Sequence, residues 1–182
     1  MRTGEPRGSR GEAQGEQAAP GRERVVVGVS GSPASRVALR RAAEEARRLR
    51  RPLLVVQAWR PPNGETAARV APCPELDREI EFRAQARLDR ILLDEWVYLT
   101  DVQVTSWSLR APVAAEALVR VARPGDLLVV GGAAGRSLFR GATRRAVRAR
   151  ARCRVLETPR PVPGPSFRLR RLTRGGTGRM GV

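Results

Sequence analysis

Five short apolar runs, set between stretches of helical periodicity, constrain this chain more than any other feature. RVVVGVS at residues 24–30, LLVVQAW at 53–59 and DLLVVGG at 126–132 are almost continuous in Val and Leu, the pattern of strands buried on both faces. DVQVTSWSL at 101–109 alternates Val102, Val104, Ser106 and Ser108 against polar and bulky neighbours, a less completely buried strand, and CRVLET at 153–158 is the last. Gly31, Ser32 and Pro33 supply a turn, an N-cap and a proline at the first helical position. They predict a helix over residues 33–50 with an apolar face of Val37, Leu39, Ala42, Ala43, Ala46 and Leu49. Ile80, Ala84, Leu88, Ile91 and Leu92 recur at the spacing of one buried face in a helix predicted over 75–96. Pro112 opens a helix carrying Val113, Ala117, Leu118 and Val121, and ATRRAVRARA reads as a short basic helix. The stretch PPNGETAARVAPCP reads as a loop.

Strands alternating with helices specify a parallel sheet covered on both faces, because parallel neighbours need crossover connections. The expected fold is α/β: a single Rossmann-like domain over residues 23–158 with a five-stranded parallel sheet. Residues 1–22 hold no aromatic or β-branched aliphatic side chain, so nothing there offsets the entropy of ordering, and a disordered arm is expected. Residues 159–182 alternate Pro, Gly and Arg and are expected to form a flexible basic tail. No run reaches the roughly 20 apolar residues of a membrane span, and the first residues lack the apolar stretch of a signal peptide. A cytoplasmic protein is expected.

All 35 basic side chains are arginine, with no lysine and no histidine. Without lysine there is no P-loop lysine, Schiff base or lysine general base. Without histidine there is no serine-histidine pair and no imidazole metal site. Most familiar enzyme classes are thereby excluded, and no catalytic role is expected. Cys73 and Cys153 lie far apart in the sequence, in no C-x-x-C pair, and are expected to stay reduced.

In a parallel sheet, ligands bind beyond the carboxyl ends of the strands, where the strand order reverses. Two loops fall there: VSGSP after the first run and GGAAGRSLFRGAT, residues 131–143, after the fourth. The second has the form of a glycine-lined anion site completed by the amino end of the next helix, with Arg136, Arg140 or Arg144 reaching a phosphate. The competing reading is a strand-to-helix turn. VSGSPAS shares Ser30, Gly31 and Ser35 with the S-G-G-x-D-S loop of ATP pyrophosphatases but lacks its second glycine and its aspartate. The G-x-G-x-x-G dinucleotide fingerprint is also absent.

The segments RVVVGVSGSPASRVALRRAAEEARR, LLVVQAWRPP, PVAAEALVRVARPGDLLVVGG and RGATRRAVRARARCRVLETP resemble, in order, the universal stress protein family over residues 24–158. The resemblance implies a regulatory or protective module, a homodimer joined along its last strand and, in one branch, bound ATP. That branch carries G-x2-G-x9-G-S/T after strand four and an aspartate at the end of strand one. Gly132 and Gly135 supply the first half. Gly141 then follows after only five residues, Ala142 stands at the hydroxyl position with Thr143 beyond it, and Ser30 stands in place of the aspartate. The residues implied to hold ATP or another adenine nucleotide are Val29, Ser30, Val56, Gly131, Gly132, Gly135, Arg136, Arg140, Gly141, Ala142 and Thr143. The alternative is a dimerising adaptor that binds no nucleotide. Its Arg136–Arg154 segment, eight arginines without an acidic residue, would contact an acidic partner or nucleic acid.

Overall fold

The structure, a computed structural model, describes residues 22–132 and 142–159. The two expected terminal arms therefore lie outside it, apart from Arg22 and Pro159. The chain runs β1 (Val25–Gly28), α1 (Pro33–Leu49), β2 (Leu53–Trp59), α2 (Gly64–Val70), α3 (Pro74–Asp94), a 3-10 turn (Trp96–Tyr98), β3 (Val104–Arg110), α4 (Ala114–Val121), β4 (Leu127–Val130), α5 (Ala142–Arg150) and β5 (Arg154–Glu157). The five strands form one parallel sheet in the order β3-β2-β1-β4-β5. The order reverses between β1 and β4, because the chain winds from β1 out to β3 and then returns to the other side of β1.

Alternation along the central strands divides the core into two layers. Val25, Val27, Leu53, Val55, Leu127 and Val129 face α1 and α3, packing against Leu39, Ala42, Leu88 and Ile91. Val26, Leu54, Val56, Leu128 and Val130 face the other way, toward Ala117 and Leu118 of α4 and Val147 of α5. Both faces are thus covered, as the continuous Val and Leu runs require.

Local chemistry sets the ends of α1. The Ser32 hydroxyl accepts the Ser35 amide at 3.3 Å, and Pro33 begins the helix without wasting a donor. At its other end Arg50 takes a left-handed conformation, φ 53°, and donates its amide back to Ala46 and Arg47. On the face of α1, Ala38 is buried where Val37 is only half-buried, because small residues let the helix lie close to β1.

Three sequence expectations need correction. The stretch read as a loop contains α2, which buries no residue and so carries no apolar stripe. Val113 caps α4 rather than packing beneath it and is exposed. The third strand begins at Val104, since residues 101–103 belong to the turn that leads into it.

Candidate functional site

Beyond the carboxyl ends of β1 and β4, at the reversal of strand order, lies a cleft of 590 Å³, within the range of small-molecule sites. Its floor is apolar, made by Val56 and Ala58 of β2, Val130 of β4, and Leu118 of α4. Two glycines give it room. A Cβ on Gly28 would stand 2.8 Å from Leu118 Cδ1, and one on Gly131 would stand 2.8 Å from the Ala34 carbonyl oxygen. Only glycine at 131 lets the end of β4 approach the first turn of α1 this closely.

Three serines form the wall on the β1 side. The Ser30 amide donates to Ser35 Oγ at 3.2 Å, Ser35 Oγ donates to the Ser32 carbonyl at 2.8 Å, and Ser30 Oγ donates to Ser32 Oγ at 3.1 Å. Ser32 Oγ also accepts the Ser35 amide, and because the Ser30 and Ser32 hydroxyls share one hydrogen bond, one proton of that pair is left for an acceptor in the cleft. The Arg87 guanidinium of α3 donates to the Ser30 carbonyl at 2.8 Å and pins this loop from outside. The amino end of the 17-residue helix α1 opens into the cleft with no acidic residue in its first turn, which favours an anion there.

On the opposite side, Thr143 and Arg144 of α5 line the cleft. Arg144 is engaged with Glu157 of β5 at 3.3 Å, and Arg148 approaches the same carboxylate at 3.6 Å. The buried Thr158 hydroxyl accepts the Gly132 amide at 3.4 Å, fixing the start of the glycine loop to the end of β5.

The structure therefore brings together Val29, Ser30, Val56, Gly131, Gly132 and Thr143 from the expected site. Val29 contributes backbone, since its side chain is buried toward α1 and its amide donates to the Val56 carbonyl at 2.9 Å. Ala142 opens α5 but does not line the cleft, since the next two positions of that helix turn toward it instead. Gly135, Arg136, Arg140 and Gly141 lie outside the described residues. Ser32, Ser35 and Leu118, which line the cleft, and Thr158, which supports Gly132 from behind it, were not expected. Ser32 was legible only as a helix cap, and Leu118 only as a core residue of α4. Among the described residues, no group of three or more His, Cys, Asp or Glu could hold a metal ion.

The universal stress protein family matches residues 21–159 of this chain. The chain belongs to that family. Its fold is shared with the universal stress protein UspA from Lactobacillus plantarum, 22% identical, over 75% of this chain and 97% of that one with a TM-score of 0.59. A universal stress protein solved in complex with cAMP is also 22% identical, over 75% of this chain and 96% of that one, with a TM-score of 0.52. A universal stress protein from Archaeoglobus fulgidus is 22% identical over 74% and 97%, with a TM-score of 0.51. No curated protein matches the chain. As a universal stress protein it has the family's five-stranded sheet, and among its described residues no helix is long and apolar enough to cross a membrane.

Proposed function

We propose that the cleft between the β1–α1 and β4–α5 connections binds an adenine nucleotide, ATP among them. The domain would act as a regulatory or protective module without chemistry of its own. The observation that carries this reading is the placement of the cleft. It lies at the reversal of strand order, with the amino end of α1, the Ser30–Ser32 hydroxyl pair and the Gly131–Gly132 backbone around one apolar floor. The relative solved with cAMP supports an adenine ligand in this fold. The base would lie against Val56, Ala58 and Leu118, and the phosphate near Ser32, Gly132 and Thr143. Ser30 offers a hydroxyl without charge, so ribose contacts would be weaker than those of a carboxylate.

Titration calorimetry with ATP, ADP, AMP and cAMP in the presence of Mg²⁺ tests this reading. Saturable heat with at least one of them is expected, and no heat at high protein concentration overturns it. Conversion of ATP to ADP or AMP would overturn the non-enzymatic part.

The Arg144–Glu157 contact favours a second reading. It already partners the described cation nearest the cleft, as suits an adaptor that has lost the nucleotide. Such an adaptor would dimerise along β5 and offer the Arg136–Arg154 segment to an acidic partner or nucleic acid. Sedimentation equilibrium distinguishes monomer from dimer.

A further inference from the structure

Because every strand runs the same way, the residues that precede the strands collect at the end of the sheet opposite the cleft. Register places Leu53, Val25, Leu127 and Arg154 in one row across β2, β1, β4 and β5. Immediately before that row stand Arg50 and Arg51, Arg22 and Arg24, Arg123, and Arg150 and Arg152. Four separate stretches of sequence therefore deliver arginines to one end of the domain. Only β3, entered through Asp101, Val102 and Gln103, does not.

Part of this charge is neutralised. Arg24 is buried against Asp126 at 2.9 Å, Arg47 pairs with Asp101 at 3.3 Å, and Arg51 pairs with Glu23. Arg50, Arg123, Arg150, Arg152 and Arg154 are exposed, and among the described residues none has a carboxylate partner. Arg22, Arg47, Arg50 and Arg51 also line a groove of 320 Å³ on this end.

We propose that this arginine end is a binding surface for the phosphate backbone of a nucleic-acid duplex, read without regard to sequence. Arginine forks match phosphate oxygens two at a time. The row from β2 to β5 spans three strand spacings, about 15 Å. A duplex presents roughly eight or nine phosphate charges over that length.

An acidic protein partner fits less well, because protein interfaces gather aromatic and apolar side chains at their centre. Of the exposed large hydrophobic side chains of the described chain, Trp96, Val97 and Tyr98 stand at the β3 corner of this end, where Arg47 donates to the Tyr98 carbonyl, and the others lie on α2, on α3 and before α4, away from the row from β2 to β5. The segments 22–24, 50–52, 101–103, 122–126 and 150–154 contain no Phe, Tyr or Trp. The same lack disfavours single strands, whose bases need aromatic faces to stack on.

The test uses the full chain with a fluorescent mixed-sequence DNA duplex, followed by anisotropy as salt is raised. With five arginines neutralising phosphates, affinity is expected to fall on the order of 500-fold between about 50 and 200 mM salt. Combined R50Q, R123Q, R150Q, R152Q and R154Q substitutions should weaken low-salt binding at least tenfold while leaving the circular dichroism spectrum unchanged, since all five side chains are exposed. R78Q with R83Q, two exposed arginines of α3 outside this end, should bind nearly as the parent does. Absence of binding at low salt overturns the proposal, as does full retention by the fivefold variant. Competition by polyglutamate as effective as that by duplex, or tighter binding of a single strand, overturns the choice of occupant.

Discussion

The two ends of the central strands β1 and β4 solve opposite problems with different chemistry. At the amino end Arg24 and Asp126 form a buried ion pair at 2.9 Å. Asp126 also accepts the Arg24 amide at 2.9 Å and the Arg123 amide at 2.9 Å, while Arg24 reaches the Val121 carbonyl at 3.0 Å. At the carboxyl end the β4 end approaches α1 closely at Gly131 and Ala34, and serine hydroxyls tie the β1–α1 connection to itself. Directional charge closes one end against water. Small neutral groups hold the other end open while leaving donors unspent. The contrast teaches that the cleft is not an unfinished part of the core but the place where side chains have been kept short.

Breaking the closed end should have the largest effect. Asp126→Ala leaves the Arg24 guanidinium buried without its carboxylate and is expected to cost about 3–5 kcal/mol, read from urea unfolding. Replacing both partners, R24M with D126L, should recover most of that loss, because the desolvation cost of the charges disappears as well. A double variant as unstable as D126A would show that the pair matters through its backbone hydrogen bonds instead.

Gly131→Ala tests the open end. Its Cβ would meet the Ala34 carbonyl at 2.8 Å, so the β4 end and α1 must separate at about 1–3 kcal/mol. Nucleotide affinity should fall together with stability. Unchanged affinity would place the ligand elsewhere.

Between the ends, Glu95 binds α1 to the end of α3. It receives Arg40 at 2.6 and 3.2 Å and Arg36 at 3.1 Å. Burial pushes its carboxyl pKa up, but the hydrogen bonds and charges of Arg40 and Arg36 outweigh it, and the net shift is down. A carboxylate lowered on folding contributes stability above its unfolded pKa, about 4.3, and loses it as pH falls through the lower folded value. Unfolding free energy measured across that acid range should therefore decline more steeply in the parent than in E95Q. E95Q itself should lose about 1–3 kcal/mol at neutral pH.

The smallest effect is expected from Ser32→Ala, which removes the cap of α1 and costs about 1 kcal/mol. The same change removes one of the two hydroxyls that line this side of the cleft. A loss of nucleotide affinity beyond the stability loss, absent in Ser35→Ala, would separate contact from capping.

The sheet was legible in the sequence because a parallel strand buried on both faces has no polar side to interrupt its Val and Leu run, as at Leu53–Val56 and Leu127–Val130. Helix α1 was legible through Ser32 and Pro33, whose capping chemistry is local. Helix α2 was not, since a helix that buries nothing has no periodic signal. The candidate site was legible in its backbone, at Ser30, Gly131 and Gly132, because glycines and strand ends mark turns. Leu118, the Thr158 support behind Gly132 and the Ser32–Ser35 hydrogen bonds were not, since they come from distant segments or from hydroxyl geometry that spacing does not encode. The arginine end was hidden for the same reason. Its members are scattered singly and in pairs from residue 22 to residue 154, and only the parallel register gathers them.

Helix α2 buries nothing and is tied to the sheet by the Glu65–Arg110 contact at 3.1 Å. Its backbone opens with little loss of buried surface, so its amides should exchange with solvent before those of the strands. Cleavage after the exposed Arg69 would leave β1 and β2 on one fragment and β3 to β5 on the other. Every residue of β2 would still pair with β3, and β1 with β4. The nicked protein should therefore elute as a single species in the native state and separate into two pieces only in denaturant.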